Sequence, residues 1–489
     1  MIPLAIAFVL SFGLSLALES QPPSLRALRA PGRALALRLL VHVVIFAAAF
    51  SLSWRPWHAA LVTSVVAFLF GAGSAMKYRI LGEPVVFTDF ALVRLAIRHP
   101  RLYYAEKLAE PKALGVFAAL ALATAGWFAV EPSILPPGGW PLLAVPPLVV
   151  AAAVLALRSA WAARFAGPLL VERPDLDADV ARFGLGATMT LHWLGWRSRP
   201  RPGPAAARLM AEAKDVPPAA PDVVVAIQCE SFTDVASRGV AGPELPNYRA
   251  LCDEALAWGR CRVPAEGAYT MRAEFGFLTG LPTAALGYDA FDPYLVSPAY
   301  AQASAAQRFR RAGYKTVFLH PYDRRFFSRD ELVPLLGFDR FVDGEAFAPA
   351  DRFGPYVGDA AVARAIAEEV AKADGPLFLF VVTIENHGPW GPGRLPSIDD
   401  PEAQYAAHLR NSDSMMGAVA DALKTRPGGG LLCLYGDHAP ARTLHPTMQD
   451  RRAADYVVWD SRRLASSPTP RLDLDVDAVG RLMVERSGA

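Results

Sequence analysis

The chain has 489 residues, 53% of them hydrophobic, with a formal net charge of +2 and four cysteines. That length allows two or three domains. Charge so near balance argues against a nucleic-acid partner, and an apolar excess gathered in the N-terminal third argues against a purely soluble chain. Five runs approach the roughly 20 apolar residues that cross a bilayer: Ile2–Leu18, Leu37–Trp54, Ala59–Met76, Leu114–Val130 and Leu142–Leu157. The first lacks a basic start and an A-x-A cleavage site, and further spans follow, so it is expected to be retained. Pro146 and Pro147 interrupt the fifth. Arg26, Arg29 and Arg33 follow the first run, and Lys77, Arg79, Arg94, Arg98 and Arg101 follow the third. Counted by the positive-inside rule, both loops are cytoplasmic, and five spans then leave the C-terminal part inside as well.

Residues 158–219 read as an interfacial helix and linker. The piece FGLGATMTLHWLGW is too short to cross, and Trp193 and Trp196 suit a helix lying in the membrane interface. RSRPRPGPAAA reads as a linker, rich in Pro and Arg. LGEPVVFTDFALVRL, between the third and fourth runs, reads as a second interfacial segment.

From about residue 220 the pattern changes. VVVAIQ (223–228), KTVFLH (315–320), LFLFVVTI (377–384) and LLCLYG (431–436) have the short apolar form of buried strands, with helical patterns between them. Such alternation predicts an α/β domain over 220–489, its mostly parallel sheet covered by helices on both faces. A multispan α-helical membrane domain over 1–157 precedes it. Cys229 and Cys433 lie in strand-like runs and read as buried free thiols. Cys252 and Cys261 are candidates for a bridge, with nothing in the spacing to decide it.

In open α/β sheets, ligands gather outside the carboxyl ends of the strands. Each of the four runs ends on reactive side chains: Glu230; His320 with Arg329 nine residues on; His387; and Asp437 with His438. Taken singly, each has an ordinary reading: a turn Asp with an Asx hydrogen bond, a solvated Glu, a core His, a surface Arg329–Asp330 pair. Together, at one end of one sheet, they make a site. A carboxylate beside an imidazole suits Zn or Mn.

Thr270, in AYTMRAEFGFLTG, is first of all a helix N-cap. A capping box needs Glu or Gln three residues on, where Ala273 stands and Glu274 comes one residue late. A hydroxyl at a helix N-terminus also faces N–H groups that suit a phosphate or sulfate. It is a poor nucleophile alone, and a divalent metal activates it. Glu230, Asp437 and His438 are plausible ligands, with Thr270 as the fourth. His320, His387 and Arg329 are then candidates to hold the anionic oxygens of a substrate. Arg272 has no assigned role.

The ordered set IQCESF, YTMRAEFGFLTGLP, FLHPYDRRFFSRD, TIENHGPW and LYGDHAP resembles the lipoteichoic acid synthase family of membrane phosphoglycerol transferases, within the alkaline phosphatase/sulfatase superfamily. The resemblance covers about 220–470 by motif and the N-terminal region by architecture. It implies that Glu230, Thr270, Asp437 and His438 hold one divalent metal, Mn above Mg or Zn, with Thr270 as nucleophile. It implies that His320, Arg329 and His387 hold the head group. Phe327 stands where family members often have Trp, keeping the face and losing the indole donor.

By the same resemblance, phosphatidylglycerol donates phosphoglycerol to Thr270, diacylglycerol leaves, and an envelope glycan or glycerophosphate chain accepts. The protein is then multi-pass in the cell (inner) membrane with its catalytic domain extracytoplasmic, against the charge count. A sulfatase is disfavoured because T-M-R-A-E is not C/S-x-P-x-R. A phosphoethanolamine transferase shares the Thr nucleophile but usually carries more cysteines. A silent lipid- or glycan-binding membrane protein is the alternative outside catalysis.

Overall fold

The computed structural model describes residues 2–18, 32–91, 111–213, 215–216, 222–462 and 469–487. Contacts divide the chain into two compact units, Met1–Arg79 with Glu83–Pro200 and Ile80–Gly82 with Arg201–Ala489.

The first unit is helical. Each expected span falls on a helix: Ile2–Leu18, Gly32–Ser53, Pro56–Leu81, Pro111–Val130 and Val145–Arg158. Three stretches are long and apolar enough to cross a membrane: Gly32–Ser53, Pro56–Leu81 and Trp140–Arg158. Ile2–Leu18 and Ala118–Val130 are apolar but shorter, so three of the five expected spans reach full length among the described residues. Pro146 and Pro147 do not break the last one. They occupy its first helical positions, where a missing N–H is harmless, and a 3₁₀ turn, Trp140–Ala144, leads in. Large apolar side chains such as Val9, Leu69, Leu122 and Leu155 are exposed along these helices, which suits lipid better than water.

The helix Leu185–Ser198, expected to lie in the membrane interface, is buried along Leu185–His192. Its Ala187, Leu191 and Leu194 pack with Ala34 and Leu37 of Gly32–Ser53, while Trp193 and Trp196 are only partly buried. Arg26, Arg29, Arg94, Arg98 and Arg101, and residues 92–95 of the second expected interfacial segment, lie outside the described residues.

The second unit carries an eight-stranded sheet in the order β10-β2-β9-β8-β1-β7-β3-β4. The strands are β1 (Val223–Cys229), β2 (Ala257–Arg262), β3 (Lys315–Leu319), β4 (Arg340–Val342), β7 (Leu377–Val382), β8 (Leu431–Gly436), β9 (Ala453–Asp460) and β10 (Leu474–Asp475). A separate hairpin pairs β5 (Arg352–Phe353) with β6 (Tyr356–Val357). The four expected strands are β1, β3, β7 and β8, and they are neighbours, all parallel. β9 runs antiparallel to both β8 and β2, which makes the sheet mostly, not wholly, parallel.

Both faces are covered. Val223, Val225 and Ile227 point to one face, under the helices Asp359–Lys372 and Pro401–Thr425. Val224 and Ala226 point to the other, under Thr270–Thr279, Ala305–Arg311 and Val476–Arg486. This is the period-two alternation of a strand buried on both sides. Cys252 packs on the first face and Cys261 on the second. All four cysteines are free and buried, so the candidate bridge does not form.

Candidate active site

Four adjacent parallel strands end at one edge of the sheet, and each delivers side chains there. β1 runs into Glu230, and β8 into Asp437 and His438. β7 runs into Thr383, Glu385, Asn386 and His387, and β3 into His320. Glu230 is fixed through its backbone N–H, which donates to Thr383 Oγ1 at 3.0 Å. Ser231 turns the chain at φ 50°, and its N–H donates to Asp437 Oδ1 at 2.8 Å. The His438 N–H donates to the same oxygen at 2.9 Å. Asp437 Oδ2 is left buried with no partner.

His438 Nδ1 lies 3.0 Å from the Ala439 carbonyl. A carbonyl only accepts, so Nδ1 carries a proton and Nε2 is the nitrogen turned to the carboxylates. Nε2 is 3.5 Å from Glu230 Oε1 and 3.3 Å from Asp437 Oδ2. Ligand atoms of Glu230, Asp437 and His438 all lie within 4.8 Å of one another, and all three residues are buried. Burial, followed by the charge of Asp437, pushes the Glu230 carboxyl up to about 8. Two buried carboxylates, an unpartnered carboxylate oxygen and an imidazole whose Nε2 faces them fit a divalent cation. These three residues would hold it.

Thr270 opens the helix Thr270–Thr279, every residue of which is buried. It is not the N-cap. Tyr269 takes that place in the left-handed region, at φ 64° and ψ 43°, with no side-chain cap bond. The cap expectation fails because the chain enters the helix through this strained corner. The Thr270 hydroxyl is thereby spared from capping, and it has no hydrogen-bond partner among the described residues. Arg272 acquires a structural role: its guanidinium lies 3.9 Å from the Tyr269 ring centroid, and its Nε donates to the Phe291 carbonyl at 3.0 Å.

Arg329 is not in a surface pair with Asp330. It is 1% exposed and its Nη2 lies 2.6 Å from Oε2 of Glu274, which is itself 0% exposed. Glu274 sits one turn along the helix from Thr270, and Tyr294 donates its hydroxyl to the other carboxylate oxygen. Arg329 Nε and Nη1 remain buried without partners. The Phe327 ring is 5.4 Å from the guanidinium carbon.

His320 donates Nδ1–H to the Val382 carbonyl at 2.9 Å, which leaves Nε2 an unpartnered buried acceptor. Burial and Arg329 hold its pKa well below the usual value, so it is neutral. His387 makes the same choice, donating Nδ1–H to the Gly388 carbonyl at 2.8 Å, and burial lowers its pKa. Neutral histidines in this tautomer offer lone pairs, and so meet a hydroxyl or a protonated oxygen, whereas Arg329 meets the anion.

These groups feel one another's charge. Arg329 acts on Glu230 and His320, and Asp437 on His387. Among the described residues, four of the seven non-glycine positions with positive φ adjoin this edge: Ser231, Tyr269, Phe327 and Ser328. They flank Glu230, Thr270 and Arg329, and strain of this kind persists where the surrounding structure enforces it. Glu274, Tyr294 and Thr383 were not among the expected residues, whereas Ser231 follows Glu230 at the end of an expected strand. The only local signal was Glu274's failure to complete a capping box.

A mostly parallel sheet thus carries, at its carboxyl edge, a buried acid–acid–imidazole group close enough to share one metal ion. The chain belongs to the sulfatase family, whose family model, "Sulfatase", matches residues 222–472. It is similar to the "Capsular polysaccharide biosynthesis protein RkpI" of Rhizobium meliloti (strain 1021), 32% identical over 466 residues, which is 90% of this chain and 84% of the relative. Among solved structures, the Streptococcus pyogenes phosphoglycerol transferase GacH, in complex with sn-glycerol-1-phosphate, is 18% identical over 58% of this chain and 79% of its own, with a TM-score of 0.46. The lipoteichoic acid synthase LtaP of Listeria monocytogenes is 18% identical over 58% of this chain and 78% of its own, with a TM-score of 0.44.

Proposed function

We propose that the chain transfers a phospholipid head group, phosphoglycerol, by way of a phospho-threonine at Thr270, to an envelope glycan or glycerophosphate acceptor. The observation that carries this reading is the pairing of two unlike groups at one sheet edge. Glu230, Asp437 and His438 form a buried group whose ligand atoms are close enough to share one cation. Arg329 offers two buried, unpartnered N–H groups that call for an anion. Phosphoryl transfer needs both, because its transition state spreads negative charge over three oxygens.

One Mn ion, or Mg or Zn, held by Glu230, Asp437, His438 and Thr270, would lower the hydroxyl pKa of Thr270 and offset phosphoryl charge. Thr270 Oγ1 bonds to phosphorus as the bond to the diacylglycerol oxygen breaks, and the hydroxyl proton ends on diacylglycerol. The acceptor hydroxyl then bonds to phosphorus, the Thr270 ester breaks, and the acceptor's proton returns to Thr270. The N–H groups at the start of the helix Thr270–Thr279 and Arg329 Nε and Nη1 take the phosphoryl oxygens. His320 and His387 offer Nε2 to the glycerol hydroxyls, and the Phe327 face packs against the glycerol carbons.

Long apolar helices in the same chain as a site for a lipid head group support a multi-pass protein of the cell membrane. The relative named for capsular polysaccharide biosynthesis supports an envelope glycan as acceptor, and the catalytic domain is placed outside the cytoplasm with that acceptor. Phosphatidylethanolamine is the rival donor, since an ammonium also suits a histidine lone pair. The test is diacylglycerol release by the full-length protein with Mn, from vesicles of phosphatidylglycerol or phosphatidylethanolamine, with an aryl sulfate as a third substrate. Turnover of phosphatidylglycerol alone, lost in Thr270→Ala, is expected. Preference for either other substrate would replace the phosphoglycerol reading, and no turnover of any would favour a silent binding protein.

A further inference from the structure

The buried polar atoms without partners at this edge of the sheet include His320 Nε2, Arg329 Nε and Nη1, Asp437 Oδ2 and Asn386 Nδ2. The first three residues already have places in the site. Asn386 does not, although it sits next to His387 beyond β7, between the strands that carry Glu230 and His320. It is 1% exposed.

Its amide orientation is settled by chemistry. Trp390 Nε1 lies 3.0 Å from Asn386 Oδ1. An indole N–H only donates, so the atom facing it is the oxygen and the NH₂ group points away. Trp390 is held in turn: its ring meets Tyr405 edge-on at 5.2 Å, and the Tyr405 hydroxyl donates to the Ser231 carbonyl at 2.8 Å. Ser231 follows Glu230, and its N–H donates to Asp437 Oδ1. A continuous set of contacts thus fixes the Asn386 amide to the corner that carries Glu230 and Asp437. The loop is also clamped by Arg394, which donates to the Glu385 carbonyl at 2.8 Å and the Pro389 carbonyl at 3.1 Å.

A buried NH₂ group without a partner is rare in a folded protein and asks for a ligand. What it takes is an acceptor oxygen. We propose that Asn386 Nδ2 is a further catalytic residue, donating to a non-bridging oxygen of the phosphoryl group in transit, and that Trp390 is the positioning residue that aims it. This rests on the phosphoryl-transfer reading. The bond strengthens as charge builds on that oxygen, so it acts on the transfer step more than on binding.

The test uses full-length protein with Mn and phosphatidylglycerol vesicles. It measures kcat and KM for diacylglycerol release, labelling of Thr270 in a single turnover, and the thermal midpoint. Asn386→Ala is expected to lower kcat about 10²-fold, the usual effect of removing one such donor, with KM little changed and the midpoint lowered only by the lost Trp390 hydrogen bond. Asn386→Asp keeps the volume, replaces the donor by an acceptor, and falls at least as far. Trp390→Phe gives a smaller loss, and the double variant is no worse than Asn386→Ala, because both act through one hydrogen bond. Wild-type protein that never labels Thr270 overturns the phosphoryl-transfer reading and this proposal with it. Wild-type labelling with an equal rate in Asn386→Ala overturns this proposal alone. If Asn386→Ala does not fold, full turnover in Asn386→Asp overturns it equally.

Discussion

Glu274→Gln probes the buried pair on which the anion site depends. Arg329 Nη2 and Glu274 Oε2 are 2.6 Å apart and neither side chain reaches solvent. At an effective dielectric constant of about 20, the direct attraction is about 6 kcal/mol. Dehydration of the two ions offsets part of it, and removing one partner of a buried pair typically destabilises by about 3–5 kcal/mol, because the survivor stays charged and unsolvated. Glutamine keeps the volume and one acceptor, so the lower end, about 3 kcal/mol, is expected. An anion on Arg329 Nε and Nη1 replaces the lost charge. Glycerol phosphate therefore stabilises Glu274→Gln more than it stabilises the wild type. Urea unfolding of the full-length protein in detergent, followed by tryptophan fluorescence with and without glycerol phosphate, reads both effects. A loss below about 1 kcal/mol, the level of an exposed pair, with equal stabilisation of both proteins by the ligand, would refute the reasoning.

Metal removal should couple stability to pH. The folded Glu230 pKa, about 8, exceeds its reference value of 4.5, so the metal-free fold binds a proton more tightly than the unfolded chain does. Its stability therefore falls as pH rises from about 4.5 toward 8, and calorimetry should show Mn abolishing that decline while Mn affinity rises over the same window. Reductant should leave the thermal midpoint unchanged, and titration in denaturant should count four thiols, since Cys252 and Cys261 lie on opposite faces of the sheet. A midpoint shifted by reductant would contradict that placement. Ser328 is exposed at φ 53°. Ser328→Gly should stabilise by up to about 1 kcal/mol, the left-handed penalty of a Cβ, and a loss of stability would mean the corner is held by the serine side chain.

β1, β3, β7 and β8 were legible because each is a continuous apolar run with a reactive residue at its end. β2 was not: in AWGRCR, Arg260 and Arg262 face outward and Gly259 interrupts the run. β9, in AADYVVWD, is buried throughout but interrupted by Asp455 and ended by Asp460, which hid its length. Glu230, Asp437 and His438 could be read in sequence because strand ends converge in a parallel sheet. The Glu274–Arg329 pair could not, since 55 residues separate its members and nothing local links one to the other. Capping by Thr270 was the natural local reading. It fails because a left-handed Tyr269, a conformation costly for any residue with a Cβ, supplies the corner instead.

The central claim is that Thr270 carries the transferred group. Full-length protein with Mn and labelled phosphatidylglycerol, quenched within one turnover and digested, should yield the peptide bearing Thr270 with a phosphoglyceryl adduct, absent from Thr270→Ala. Diacylglycerol release by the wild type at full rate with no adduct on that peptide would contradict it.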